Sequence, residues 1–149
     1  MNAEGPDTAT RVLLIDDSAT LRLGVHALLA STPDLHVVGE CADGGEALDA
    51  ARRHRPDVAL MDITMPGTDG ITATGLVRSA VPECRVLILT MSNSARDVER
   101  AHAAGASGFL SKATPSTELV EAVRTVAGGG SVWSAYARAV LGAALDRTG

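Results

Sequence analysis

Lysine is nearly missing from this chain. Of 13 basic side chains, only Lys112 is a lysine and the rest are arginine. Where arginine is so favoured, a lone lysine can mark a place that needs a compact ammonium on a flexible stem. Aromatics are scarce too, at 2%, so the core must be built from Val, Leu, Ile and Ala. The two cysteines, Cys41 and Cys84, lack metal-motif spacing and read as reduced, small core residues. A basic surplus is also missing. The formal net charge is −5 and the pI about 5.2, which argues against a nucleic-acid-binding face. No apolar run reaches the roughly 18 residues of a membrane span. The opening MNAEGPDTATR has acidic residues and no long apolar stretch, so it is not a signal peptide. A cytoplasmic protein with no membrane partner is expected.

What is present fits one compact domain of 149 residues with a substantial core, since 46% of the chain is hydrophobic. Residues 1–10 are small and polar and read as a disordered leader. Apolar runs of strand length then recur at Val12–Ile15, Leu35–Val38, Val58–Met61 and Val86–Leu89, with a weaker fifth at Ser107–Leu110.

Segments of helical spacing lie between these runs. The first covers Ser18–Ala30, with Leu21, Val25, Leu28 and Leu29 on one stripe. The second opens at Asp43 with Glu46 three residues on, a capping-box pair, and turns Ala47, Leu48 and Ala51 inward before Pro56. The third covers Ile71–Ala80 and precedes Pro82. The fourth covers Ala95–Ala104 and ends at Gly105, a residue suited to a left-handed cap. The fifth opens with Thr114 as N-cap and Pro115 as first helical residue, and carries Leu119, Ala122, Val123 and Val126. Gly128–Gly130 breaks the chain, and a further helix follows at about Ser134–Leu145.

The strands are continuously apolar, as parallel strands covered on both faces are. Five of them alternating with five helices predict an α/β, doubly wound parallel sheet, plus the extra C-terminal helix. Residues 11–128 form the domain, and residues 129–149 a C-terminal helix or linker.

In such a sheet, ligands bind beyond the carboxyl ends of the strands. Asp16 and Asp17 follow the first strand, Asp62 the third, Thr90 the fourth and Lys112 the fifth. Each alone has a plain structural reading: a helix cap, a turn former, a hydroxyl satisfying its own backbone. The ordered set is much harder to explain that way. Three carboxylates at one edge repel one another without a cation, and Mg²⁺, which prefers oxygen ligands, suits them. A carboxylate can act as nucleophile and form an acyl phosphate. Phosphoryl transfer then needs mainly positioning and charge neutralisation.

These residues, with the strings RVLLIDDS, GECADGGEAL, DVALMDITMPGTDG, RVLILTM and GASGFLSK, resemble the receiver domains of two-component response regulators. The wording is nearest the NarL/FixJ branch. The resemblance covers about residues 11–128 and implies a flavodoxin-like sheet in the order 2-1-3-4-5. It implies that Asp62 accepts phosphate from a sensor histidine kinase. Asp17, Asp62 and the Thr64 backbone carbonyl would ligate Mg²⁺, with Asp16 acting through water. Lys112 would contact the phosphoryl group, Thr90 would swing towards it, and Phe109 would be the coupled switch aromatic. Pro66 and Gly70 match the loop after the acceptor. The chain would be a phosphoacceptor assisting its own transfer and dephosphorylation, not an enzyme in the ordinary sense. A homodimer is a possible assembly, and DNA would be reached only through an effector domain, as in a longer regulator.

There are departures. Ser18 stands where the branch often has His. Ala113 follows Lys112 where many receivers have Pro, and a cis peptide there would cost about 3–4 kcal/mol. Met91 is bulkier than the usual residue after Thr90, which predicts slower attack by water on the phosphate. Rival readings fit less well. A partner-binding module that is not phosphorylated should have lost some of these groups. A flavin site would need a Ser/Thr/Gly-rich loop where Asp16 and Asp17 stand. An aspartate-nucleophile phosphatase places its two acids two positions apart after the first strand.

Two further expectations concern output. The fourth helix has a thin apolar face, Ala95, Val98, Ala101 and Ala104, so it is held weakly and suits a moving part. Trp133, Tyr136, Val140, Leu141 and Ala144 recur at helical spacing, which predicts a tail helix docked on its own domain or on a neighbouring copy.

Overall fold

A computed structural model describes residues 9–91 and 94–148. Residues 1–8 of the expected leader lie outside these, and Thr10 opens the first strand. The strands are β1 (Thr10–Ile15), β2 (Leu35–Cys41), β3 (Val58–Met61), β4 (Arg85–Thr90), β5 (Gly108–Ser111) and β6 (Val132–Trp133). The helices are α1 (Ala19–Ala30), α2 (Ala47–His54), α3 (Gly70–Ala80), α4 (Ala95–Ala103), α5 (Ser116–Ala127), α6 (Ala135–Leu141) and α7 (Ala143–Thr148). All strands pair in parallel, in the order β2-β1-β3-β4-β5-β6. This is the expected doubly wound α/β sheet with one strand added at its edge.

The period-two geometry of a strand divides the core in two. Leu13 and Ile15 join Met61, Ile88 and Phe109 on one face, under Ala47 and Ala51 of α2, Ile71 and Val77 of α3, and Val98 and Ala101 of α4. Val12 and Leu14 join Leu60, Leu87 and Leu89 on the other, under Val25 and Leu29 of α1 and Leu119, Val123 and Val126 of α5. Every residue of β3 is buried, which is why these strands read as unbroken apolar runs. At about 1.5–3 kcal/mol per large side chain removed from water, the two layers hold the sheet ends in place.

Local signals set the helix starts. Ser18 Oγ accepts from the Leu21 amide at 3.1 Å, and Asp69 Oδ1 accepts from the amides of Ile71 and Thr72 at 2.8 and 2.9 Å. Gly105 carries a left-handed φ of 98° after α4, as expected.

The structure revises four expectations. The capping pair at Asp43 is displaced by one residue: Asp43 Oδ1 accepts from the Glu46 amide at 3.0 Å, but Glu46 Oε1 accepts from Ala42 at 3.2 Å. A single 3₁₀ turn, Gly44–Glu46, therefore precedes α2. Pro115, not Thr114, is the N-cap of α5, and its ψ of 147° is extended rather than helical. The tail is two helices, because Gly142 at φ 50° ends α6. Trp133 lies on β6, not on a helix; two residues are too few to show a strand period. Gly108 makes that strand possible, since a Cβ there would sit 2.3 Å from the Val132 carbonyl oxygen.

The tail docks on its own domain, as expected. Ala137 and Leu141 of α6 are buried in the same core as Val98 and Ala101 of α4. The His102 and Trp133 rings meet edge to face, 5.5 Å apart. Val98, Ala101 and part of Ala104 on the thin face of α4 are thus covered by the tail as well as by the sheet, while Ala95 at its start is exposed.

Candidate functional site

The sheet delivers the acidic residues in register. Ile15 pairs with Met61 in the β1–β3 ladder, and Thr90 with Ser111 in the β4–β5 ladder. The hydrogen bonding runs one step further at each end. The Asp62 amide donates to Ile15 O at 2.9 Å, the Asp16 amide to Cys41 O at 3.0 Å and the Lys112 amide to Thr90 O at 2.9 Å. Asp16, Asp62 and Lys112 are therefore fixed by the backbone as the last rungs of the sheet. Behind Asp62 the chain turns tightly into α3, and the Gly70 amide donates to Ile63 O at 2.9 Å. A Cβ at Gly70 would sit 1.8 Å from the Asp62 carbonyl oxygen, so no other residue lets α3 start there unaltered.

The side chains converge. Lys112 Nζ lies 2.8 Å from Asp16 Oδ2 and 3.2 Å from Asp62 Oδ2. Carboxylate oxygens of Asp16, Asp17 and Asp62 all fall within 4.8 Å of one another. Asp16 and Asp62 are each only 4% exposed, whereas Asp17 faces solvent. The second Asp16 oxygen, Oδ1, accepts from the Ser18 amide at 2.8 Å.

Burial, and then the charge of Asp16, raise the Asp62 pKa above the ordinary carboxylate value, although Lys112 pulls the other way. Burial also works against the Lys112 ammonium, but the hydrogen bonds and charges of Asp16 and Asp62 outweigh it and its pKa is raised. The site has more negative charge than one ammonium balances. Three carboxylates with one open to water form an all-oxygen donor set, which fits a hard divalent cation such as Mg²⁺.

The other expected residues lie as follows. Thr90 is buried, 1% exposed, at the end of β4 beside Ser111. Thr64 is exposed on the loop two residues after Asp62. Phe109, 2% exposed, lies in the core between Ile88 and Trp133 in the sheet register, one pair below the Thr90–Ser111 rung's neighbour Leu110. It is not at the surface of the site. Met91 is exposed, directly after Thr90. Ser18, in place of His, serves as the α1 cap. The described backbone has no cis peptide bond, Lys112–Ala113 included.

The response regulator receiver domain profile matches residues 12–124. The chain belongs to the response regulator receiver domain family. It is 37% identical over 123 residues to the response regulator protein VraR of Staphylococcus aureus, a match covering 83% of this chain and 59% of VraR. The chain thus spans well under two thirds of the length of these relatives. A LuxR-family two-component response regulator from an Aurantimonas species superposes with a TM-score of 0.83 at 35% identity, covering 95% of this chain and 99% of that one. The signal receiver domain of the response regulator NarL from Mycobacterium tuberculosis gives 0.78 at 40% identity, covering 81% and 98%. The receiver fold and the two-component family read from the motifs therefore hold.

Sequence reasoning missed one element of this receiver's site. Arg22, from the first turns of α1, donates from Nη1 to the Asp16 carbonyl oxygen at 2.5 Å. The available signal was its place four residues after Ser18, which puts it one turn above the cap.

Proposed function

We propose that this receiver is a phosphorylation switch whose acceptor is Asp62 and whose donor is a phosphohistidine of a sensor histidine kinase. One observation carries the reading: a single ammonium, Lys112 Nζ, bridges Asp16 Oδ2 and Asp62 Oδ2 at 2.8 and 3.2 Å, with the Asp17 carboxylate alongside. An Asp62 carboxylate oxygen attacks the phosphorus, the P–N bond to the donor imidazole breaks, and the imidazole leaves with the electron pair to take up a proton. Lys112 then neutralises a phosphoryl oxygen, and the Thr90 hydroxyl donates a hydrogen bond to another. Asp17, Asp62 and the Thr64 carbonyl would hold Mg²⁺, with Asp16 acting through water. When bound, the ion supplies positive charge to the phosphoryl oxygens. Hydrolysis of the acyl phosphate restores Asp62, and Met91 slows it by crowding the approach of water.

The wider role follows the relatives. VraR extends well beyond the matched region, which supports a reading of this receiver as part of a longer regulator, whose proposed output is transcriptional and reaches DNA through a separate effector domain. Residues 11–128 would be the switching unit and 129–149 the connector to output.

The test is intact mass after incubation with acetyl phosphate, with and without Mg²⁺, on wild type and Asp62→Asn. A Mg²⁺-dependent gain of one phosphoryl group, lost in the variant, is expected. An equal gain by Asp62→Asn would overturn the site. No gain, joined to no binding of beryllofluoride, would favour an interaction module that is not phosphorylated.

A further inference from the structure

Arg22 is held at both ends of its guanidinium. Nη1 donates to the Asp16 carbonyl oxygen, and Nε lies 3.2 Å from Glu40 Oε1 on β2. Glu40 is held in turn, because its Oε2 lies 2.9 Å from His26 Nδ1, one turn further along α1. Arg22, Asp16 and Asp62 line one small cavity at the carboxyl end of the sheet. The Arg22 side chain is 19% exposed, while Glu40 is at 36%. It is a half-buried, charge-assisted link from a helix and an edge strand to the backbone of the acidic pocket.

Every polar group of Asp16 is engaged. The amide goes to Cys41, Oδ1 to Ser18, Oδ2 to Lys112 and the carbonyl to Arg22. The carbonyl is the one that matters for the next residue. A peptide unit is planar, so fixing the Asp16 oxygen fixes the plane from which the Asp17 backbone departs. Asp17 is exposed, and its carboxylate direction is inherited from that plane. We propose that Arg22 is a positioning residue for the acidic pocket, holding the Asp16–Asp17 peptide so that both carboxylates meet one cation. The inference rests on the reading of Asp16, Asp17 and Asp62 as a Mg²⁺ site.

Charge and position predict opposite signs, which makes the idea testable. Removing a cation beside carboxylates should by itself tighten binding of a metal cation. Losing the orientation should weaken it, as loss of an outer hydrogen-bond partner does at metal sites, by about 10–100-fold.

The experiment is a Mg²⁺ titration followed by backbone amide shifts, without any phosphodonor, on wild type, Arg22→Met, Arg22→Lys and Glu40→Gln. Thermal melts in chelator run beside it. Arg22→Met is expected to bind Mg²⁺ at least about tenfold more weakly. Arg22→Lys should recover part of the loss, since it still reaches one partner. Glu40→Gln, which keeps an acceptor for Nε, should stay near wild type. Tighter or unchanged binding by folded Arg22→Met overturns the proposal, and a lowered melting temperature with unchanged affinity assigns Arg22 to stability alone. If Arg22→Met fails to fold, Arg22→Gln takes its place with the same two readings. Wild type that shows no saturable Mg²⁺ binding overturns the acidic-pocket reading and this proposal together, whereas a normal wild type with an indifferent variant overturns only this one.

Discussion

Phe109 and Trp133 are register partners on adjacent parallel strands, β5 and β6. The pairing is reinforced from the backbone, where the Ser134 amide donates to Phe109 O at 3.0 Å. Two strand residues above Phe109 is Ser111, which pairs with Thr90. The one phenylalanine of the chain thus connects the end of the sheet that bears the site to the one tryptophan. The tail helices follow Trp133 directly.

This relationship gives an optical prediction. Trp133 is 7% exposed and meets the His102 ring of α4. If Thr90 moves inward on phosphorylation and Phe109 repacks, Trp133 must sense it. Adding beryllofluoride with Mg²⁺ should change its fluorescence and the amide exchange of α4 together. Unchanged emission and unchanged α4 exchange in a protein shown to bind beryllofluoride would remove the coupled switch. Phe109→Ala should also destabilise the fold by about 3–5 kcal/mol, as large-to-small changes in a packed core do, measured by urea denaturation.

Gly70 gives a sharper steric prediction. The start of α3 passes so close to Asp62 that a methyl group there would overlap its carbonyl oxygen at 1.8 Å. The obstacle is backbone, not the end of a flexible side chain, so Gly70→Ala must shift the Asp62 loop. A loss of roughly 2–3 kcal/mol is expected, with slower labelling by acetyl phosphate in the folded fraction. Gly75, on the same helix with nothing near its would-be Cβ, is the control, and Gly75→Ala should be neutral or stabilising.

The buried thiols give a chemical prediction. Burial first, and nearby carboxylates after it, push Cys41 up to about 11. Burial likewise pushes Cys84 up to about 12. The reactive species is the thiolate, so at pH 8 both should resist iodoacetamide in the native protein and react fully in urea, read by mass. Rapid native labelling of either would show that its covering layer opens readily.

The sheet and its chemistry were legible for one reason. Parallel strands buried on both faces print as apolar runs, and the first or second polar residue after each run marks the functional edge. Asp16, Asp62 and Lys112 are such residues, and the structure brings them within hydrogen-bonding distance. What was not legible rests on contacts remote in sequence. Trp133 joins the sheet because Gly108 lets the β6 backbone approach, and nothing near Trp133 announces that. Pro115 was misplaced by one residue because a proline suits both the N-cap and the first helical position, and the choice depends on ψ. Arg22 was missed because an arginine on a helix looks like a solvated charge until its acceptor, a carbonyl in the loop before the helix, is known.

The pH dependence of stability follows from Asp62. Its folded-state pKa is raised, chiefly by burial and then by the charge of Asp16. A carboxyl group whose pKa is higher folded than unfolded binds more protons in the native state through that window. Stability therefore falls as pH rises from the unfolded pKa through the raised folded one, and the cost of the buried charge is fully present above it. Asp62→Asn removes the cost while keeping the shape, and Lys112 retains Asp16 as partner at 2.8 Å. Without metal at neutral pH, the variant should melt higher than wild type, on the order of a few degrees for a domain of this size. The gap should shrink as pH falls below the raised pKa, because wild-type Asp62 is then protonated and residue 62 is neutral in both proteins. Mg²⁺ should narrow it too, by stabilising only the protein that has the complete carboxylate set. Calorimetric melts across pH, with chelator and with Mg²⁺, read all three effects. A variant that melts lower than wild type at neutral pH in chelator would mean that the Lys112 bridge to Asp62 stabilises more than the buried charge costs.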